Sequence, residues 1–131
     1  MDEKAQAGRN DAAALSDIEN AYAAQGYRLP EGVTWEMVRQ ARAERKHPDF
    51  ITAKFMQELL EARTAALAEA CEAVQAADWA VQALDNRLFA AKCARNDAAY
   101  KAAMDKYGPA REVHTAALKR LWALDMVSAW W

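Results

Sequence analysis

The chain has 131 residues, a formal net charge of −2 and 33 alanines, about a quarter of its length. Its four glycines, three prolines and twelve β-branched residues are too few for the strands and turns of a β-sheet. The low net charge and the five tryptophans argue against a disordered chain. Since alanine has the highest intrinsic helix propensity, the composition predicts an all-α protein and excludes an all-β or α/β fold.

The first residues lead into no apolar segment typical of a signal peptide. No apolar run approaches the roughly 18–20 residues that a membrane-spanning helix needs. Two cysteines, Cys71 and Cys93, are too few for a disulfide framework. We therefore expect a soluble cytoplasmic protein with reduced thiols. After a flexible tail over residues 1–9, residues 10–131 are expected to form a single helical domain.

The first predicted helix covers about residues 10–25. Its apolar residues Leu15, Ile18 and Tyr22 recur at intervals of three and four, which places them on one face. Gly26 follows at the position where a glycine commonly ends a helix. Gly26, Pro30 and Gly32 then predict a loop.

A second helix is predicted over about residues 34–46. Thr34 is a favourable N-cap, and Trp35, Val38 and Ala41 fall on one face. The helix is expected to end before Pro48, because the residue that precedes a proline disfavours the α conformation. Either Asp49 or Thr52 can then cap the next helix.

The stretch from Asp49 to Tyr107 contains neither glycine nor proline over 59 residues. An unbroken heptad repeat fits it, with alanines at d positions 70, 77, 91 and 98 that allow close helix–helix approach. The pattern therefore predicts one long coiled-coil-like central helix over about residues 50–107, in an elongated bundle of about four helices. A bend near Asp85 and Asn86 is the alternative, since these are weak helix formers.

Gly108 and Pro109 form the clearest stop signal in the sequence, with glycine ending one helix and proline beginning the next. The last helix is predicted over about residues 109–129. We expect one of its sides to carry Val113, Ala117, Leu121 and Leu124. The short connection makes this helix an antiparallel neighbour of residues 86–107.

Charge is unevenly distributed along the long apolar stretch. Residues 54–84 hold five acidic and two basic residues, whereas residues 85–107 hold three acidic and five basic ones. An antiparallel partner centred near residue 82 would pair the acidic half with the basic half. That partner is either a second copy of the chain, which would make a homodimer through the long helix, or the same helix folded back. A chance distribution on a solvated face is the simpler alternative.

No pattern typical of a metal, cofactor or catalytic site is present. The two cysteines are widely separated from His47 and His114 in the sequence, and each cysteine is expected to be a small buried hydrophobe. Two pairs of acidic residues have helical i,i+3 spacing, but no histidine follows them as a di-iron motif requires; they are Glu58 with Glu61 and Glu69 with Glu72. We expect them on a solvated face, and we expect a protein that is not an enzyme and has no cofactor.

The basic residues of the second helix form one candidate binding surface. Arg39, Arg42, Arg45 and Lys46 follow one another at short intervals, and Arg28 lies in the preceding loop. Arginines on an exposed helix can bind phosphates, so this surface is a candidate nucleic-acid interface. The alternative is a charged face whose basic end complements the helix dipole.

The aromatic residues form the other candidate surface. Trp79 and Tyr100 share the f position of the heptad, opposite the a/d face, where we expect other helices to cover them. Trp130 and Trp131 end the sequence and are expected either to pack back on the bundle or to contact a partner. Tryptophan and arginine are enriched among the residues that dominate protein–protein binding.

These observations predict a non-catalytic protein-binding module that acts through exposed helix faces as a small inhibitor, adaptor or assembly factor. Its size and lack of motifs would suit a phage or mobile-element protein that blocks a host machine, although no residue indicates that origin. Nucleic-acid binding through the second helix is the main alternative, and a helical enzyme or ligand-binding bundle is a further one. The predicted partner-binding residues are Arg39, Arg42, Arg45, Lys46, Trp79, Tyr100, Trp130 and Trp131.

Overall fold

The computed structural model describes the backbone of residues 2–126 and the side chains of residues 12–125. This part of the chain contains four helices and no strand, which confirms the predicted all-α class. The helices are α1 (Asp2–Ala24), α2 (Trp35–Ala43), α3 (Ala53–Cys93) and α4 (Asp97–Met126). No helix within these residues is long and apolar enough to cross a membrane.

The start of each internal helix is fixed by a side-chain cap. The Thr34 hydroxyl oxygen accepts a hydrogen bond from the Met37 amide at 3.3 Å, and Thr52 does the same for Phe55 at 3.2 Å. Both threonines were predicted as N-caps, and Thr52 rather than Asp49 performs this role for α3. α1 begins at Asp2, so the prediction of a tail over residues 1–9 was wrong for residues 2–9.

Three helix ends share one hydrogen-bonding pattern, the Schellman motif. At the end of α1 Gly26 adopts a φ of 83°, as its position predicted, and the Tyr27 amide donates to the Tyr22 carbonyl. Arginine takes the glycine position at the other two ends, because Arg45 and Arg95 both have a φ of 53°. α2 therefore ends at Ala43, a few residues before the predicted end at residue 46.

The turn at Arg95 divides the predicted long helix. The Asn96 amide donates to the Ala91 carbonyl at 2.9 Å, and the Arg95 amide donates to the Lys92 carbonyl at 3.2 Å. The Asn96 side chain then caps α4 by accepting from the Ala99 amide at 3.1 Å. The prediction of one helix over residues 50–107 was therefore wrong, and so was the alternative bend at Asp85 and Asn86.

The predicted stop at Gly108 and Pro109 was also wrong, because α4 continues through both residues. A residue before proline normally disfavours the α conformation because its Cβ clashes with the proline ring. Gly108 has no Cβ, which relieves that clash, and both residues lie on the exposed side of α4. The missing amide of Pro109 leaves the carbonyl four residues earlier without its helical hydrogen bond.

The chain forms two compact units. Unit 1 comprises Met1–Ala68 with Trp122–Trp131, and unit 2 comprises Glu69–Leu121. α3 contributes residues 53–68 to unit 1 and residues 69–93 to unit 2. Each unit buries its own apolar residues.

Unit 1 is built around Tyr22, which is 2% exposed. Its ring lies 5.3 Å from Tyr27, 5.3 Å from Trp35 and 6.0 Å from Phe55, measured between ring centroids. The remaining buried residues include most of the predicted faces of the first two helices; among them are Leu15, Ile18, Val38 and Ala41. The two predicted helix faces are therefore the ones that are buried.

Unit 2 is a hairpin of the second part of α3 and most of α4. Ala70, Ala77, Leu84 and Ala91 recur every seven residues on α3 and are at most 7% exposed. The alanine d positions 70, 77 and 91 are thus confirmed, whereas Ala98 lies beyond the turn and is exposed. Small residues at these positions let the two helices approach closely, as an antiparallel coiled coil requires.

The packed side of α4 differs from the predicted one. Its less exposed residues recur alternately at four and three residues; they are Ala103, Tyr107, Ala110, His114, Ala117, Leu121 and Leu124. Val113 was predicted on this side, but it is 61% exposed, and His114 takes the position instead. The prediction failed because steps of four residues advance about 40° beyond a full turn each, which places Val113 about 80° around the helix from Leu121 and outside the packed side.

Candidate functional site

Unit 2 exposes five large apolar side chains. Among the described residues, Trp79 is 62%, Phe89 71%, Tyr100 41%, Met104 45% and Val113 61% exposed. Single exposed apolar residues are normal, so a binding surface is indicated only where several of them share one face. The expectation that other helices cover Trp79 and Tyr100 was therefore wrong for the described chain.

The turn at Arg95 also separates Trp79 from Tyr100. Their shared f position assumed one continuous helix, but Trp79 lies on α3 and Tyr100 on α4. They are consequently not neighbours on one helix face. Trp79 and the residues around Tyr100 can therefore be tested separately.

Tyr100 begins a stripe on α4 that borders the packed side of the helix, where Tyr107 is half-buried. Tyr100, Met104, Tyr107 and Arg111 recur at intervals of four, three and four residues, which places them on one face of the helix. The Arg111 guanidinium carbon lies 5.8 Å from the centroid of the Tyr107 ring, in cation–π contact. We call these four residues the tyrosine face. Tyrosine, methionine and arginine are enriched at protein–protein interfaces.

A groove of about 440 Å³ runs beside the turn of the hairpin. Six alanines line it, and we call it the alanine groove; they are Ala90, Ala91, Ala94, Ala99, Ala102 and Ala103. Its polar lining residues are Arg87, Lys106 and Asn96, and no acidic residue is among them. The alanines leave space because they lack side-chain atoms beyond Cβ, and the two cations give the groove a positive charge.

Two polar contacts, one of them an ion pair, connect the helices of unit 2 further from the turn. Arg120 Nη2 lies 3.5 Å from Glu69 Oε1, and His114 Nε2 lies 3.9 Å from Asp78 Oδ1. All four side chains are at least partly exposed, so each pair contributes at most about 1 kcal/mol to stability. Because each contact joins one residue of α3 to one residue of α4, the two contacts favour the register in which α4 runs back along α3.

The basic residues in α2 and just after it are largely occupied by contacts within the chain. Arg39 Nη2 lies 2.5 Å from Glu19 Oε2, and Lys46 Nζ lies 3.2 Å from Glu44 Oε2. Hydrogen bonding from Gln40, assisted by Lys46, lowers the pKa of the Glu44 carboxyl. Arg42 is half-buried, so its guanidinium presents little surface to a ligand.

Arg45 is exposed, but its backbone conformation serves the end of α2. The structure therefore does not assemble Arg39, Arg42, Arg45 and Lys46 into one exposed cluster of unshared cations. Nucleic-acid binding by this surface stays a prediction. The other predicted site residues, Trp130 and Trp131, lie outside the described residues.

The acidic pair Glu58 and Glu61 has a role that the sequence pattern did not reveal. The Tyr22 hydroxyl lies 2.8 Å from Glu58 Oε2 and 3.1 Å from the Arg28 carbonyl oxygen, and Tyr27 donates to Glu61. Burial, with the hydrogen bond to Glu58, raises the pKa of Tyr22 well above its usual range. The hydrogen bond to Glu61 is the main cause of the raised pKa of Tyr27. Glu58 and Glu61 thus stabilise unit 1 by accepting hydrogen bonds from tyrosines. In the sequence, Tyr22 on α1 was the only residue that could have indicated this role.

The cysteines and histidines do not form a reactive cluster. Cys71 and Cys93 are free and exposed, so the prediction that they are buried was wrong. Within the described residues no group of three histidine, cysteine, aspartate or glutamate side chains could hold a metal ion. His114 faces Asp78 rather than either thiol.

Comparison with known proteins adds no relative to this description. The chain matches no protein-family model, no curated protein and no solved structure.

Proposed function

We propose that the protein is a non-catalytic protein-binding module that binds its partner through the tyrosine face of α4. The observation that carries the proposal is the exposure of Tyr100 and Met104, at 41% and 45%, beside the packed side of α4. A folded helical hairpin presents these side chains in a fixed arrangement. Binding therefore requires little ordering of the backbone, which favours affinity.

The chemistry of the face indicates the kind of partner. Tyrosine offers a large apolar ring with a hydroxyl at its edge, and methionine adapts to irregular apolar surfaces. Arg111 adds one positive charge at the end of the stripe. A partner with an apolar groove or helix flanked by an acidic residue fits this arrangement. Such a module can act as a small inhibitor, adaptor or assembly factor.

The proposal is tested by affinity capture with three forms of the full chain. The first is the unmodified protein, the second carries Tyr100→Lys and Met104→Lys, and the third carries Val113→Lys as a matched control. Val113 is an exposed apolar residue of the same helix that does not share the tyrosine face. Circular dichroism first establishes that all three forms are equally helical.

We expect one protein from the native cell extract to be retained by the unmodified and control forms and lost with the double variant. Its binding is then measured with the purified partner by calorimetry. The loss is expected to exceed tenfold in Kd, as for truncation of residues central to an interface. Equal retention of the same proteins by all three forms would contradict the proposal. An experiment in which no retained protein is lost with the double variant would contradict it as well.

A further inference from the structure

Unit 2 carries a protruding tryptophan and a groove large enough to receive one. Trp79 is 62% exposed on α3, and the alanine groove of about 440 Å³ lies nearer the turn of the same hairpin. Because both features belong to one compact unit, their spacing is fixed. Trp79 and Ala91 are twelve residues apart on α3, or about 18 Å at the helical rise.

This spacing is compatible with twofold symmetry. A twofold axis perpendicular to α3 near residue 85 relates two antiparallel copies. It places Trp79 of each copy at the same height along the helices as Ala91 of the other. Each tryptophan then lies at the level of the other copy's alanine groove. Two identical contacts form at once and the arrangement is closed, as in an isologous dimer.

The charges of unit 2 favour the same antiparallel arrangement. Glu69 and Asp78 already lie near Arg120 and His114 of α4, so Glu72 is the acidic residue on which the contact between copies depends. Residues 69–84 contain three acidic residues and no lysine or arginine; the acids are Glu69, Glu72 and Asp78. Residues 85–107 contain five basic and three acidic residues, and the charged side chains that line the groove are both basic. The same axis brings Glu72 of one copy level with the turn of the other, where the exposed Arg95 lies.

We propose that the alanine groove is occupied by Trp79 of a second copy of this chain, in an antiparallel dimer of unit 2. The six alanines supply the space for the indole ring, and Arg87 lies at the edge of the groove where a cation–π contact can form. A buried tryptophan removes about 150–250 Å² of surface from water in each copy. The interface is small, so the dimer forms with concentration and dissociates on dilution.

The proposal is tested with the full chain by sedimentation over a wide range of concentration. We expect the unmodified protein to dimerise, and Trp79→Ala to remain monomeric at concentrations where the unmodified protein is mostly dimer. Trp122→Ala is the matched control, because Trp122 is 59% exposed but belongs to unit 1. It is expected to dimerise like the unmodified protein.

Two further variants test the groove and the charges. Ala102→Glu places a side chain in the groove at an exposed position and is expected to abolish the dimer while leaving helicity unchanged. Glu72→Arg and Arg95→Glu are each expected to weaken dimerisation severalfold, and the double variant is expected to restore it.

A monomer at every concentration overturns the proposal. Equal effects of Trp79→Ala and Trp122→Ala also overturn it, as does a dimer that Ala102→Glu leaves intact or a charge exchange that restores nothing. The tyrosine-face variant Tyr100→Lys with Met104→Lys is expected to dimerise normally. If the dimer proposal fails, the proposed partner binding is therefore still tested independently by the tyrosine-face variant.

Discussion

Replacing Arg95 by glycine is expected to stabilise the protein, although it removes a large side chain. Arg95 has a φ of 53°, which costs a residue with a Cβ roughly 1–2 kcal/mol. Glycine removes this cost but loses about 0.5–1 kcal/mol more conformational entropy on folding. The net gain in the free energy of unfolding is therefore about 0.5–1 kcal/mol, which raises Tm by a few degrees for a chain of this size.

The measurement is urea unfolding followed by far-ultraviolet circular dichroism. Lys101→Gly is the matched control, since it removes the same charge from an exposed position inside α4. It is expected to destabilise the protein by about 0.5–1 kcal/mol, the cost of glycine within a helix. If residues 50–107 formed one helix, Arg95→Gly would destabilise the protein as Lys101→Gly does, and this result would refute the hairpin.

Three further predictions concern other parts of the chain. Pro109→Ala is expected to stabilise the protein by about 2–3 kcal/mol because Pro109 lies inside α4; a change below about 0.5 kcal/mol would instead indicate a proline that begins a helix. Ala70→Leu is expected to destabilise the protein by about 1–3 kcal/mol through overpacking, since Ala70 is 0% exposed, whereas Ala68→Leu at an exposed position should change stability little in urea unfolding. Folding raises the pKa of Tyr22. Its contribution to the free energy of unfolding is therefore complete below about pH 10 and is lost as pH rises further toward the folded pKa. Tyr22→Phe is therefore expected to lower the free energy of unfolding by about 1–2 kcal/mol at neutral pH. Above about pH 10 its free energy of unfolding should fall less steeply than that of Tyr100→Phe. Equal slopes of the two variants would contradict the assignment.

The starts of α2 and α3 were predictable because their signals reside in residue type, whereas the predicted starts of α1 and α4 were wrong. Thr34 and Thr52 cap helices through a side-chain oxygen that alanine lacks, and Gly26 adopts a conformation that glycine favours. The heptad alanines were predictable for a similar reason, since their period survives on either side of the turn. Local chemistry and a regular period are both visible in a single sequence.

The turn at Arg95 could not be predicted in this way. Arginine is a good helix former, so its left-handed conformation depends on the packing of the two helices that it joins. The signal at Gly108 and Pro109 was misleading because the surrounding helix packs strongly enough to continue through it. Asn96 was the one local sign, as a good N-cap within the long apolar stretch.

The candidate binding surfaces were only partly predictable. Trp79 and Tyr100 were identified as aromatic residues away from the predicted packed side, but whether another helix covers them depends on the tertiary structure. Phe89 and Met104 were missed, although the heptad repeat already places both away from the a/d face. Sequence distance likewise concealed the alanine groove, whose two walls are formed by residues on either side of Arg95.

Both proposed surfaces depend on α3 and α4 forming an antiparallel hairpin in unit 2. The most direct test is the distance between spin labels at Gln75→Cys and Ala116→Cys, measured by pulsed electron resonance after Cys71 and Cys93 are replaced by serine. Both sites are exposed, so the labels leave the packed side of the helices unchanged. Spin-diluted samples separate the distance within one chain from distances between copies.

Antiparallel helices packed 8–10 Å apart predict a distance below about 30 Å, including the arms of the labels. A continuous helix would separate the two sites by about 61 Å. A short distance would establish the hairpin that presents the tyrosine face and the alanine groove, and a distance near 60 Å would contradict it.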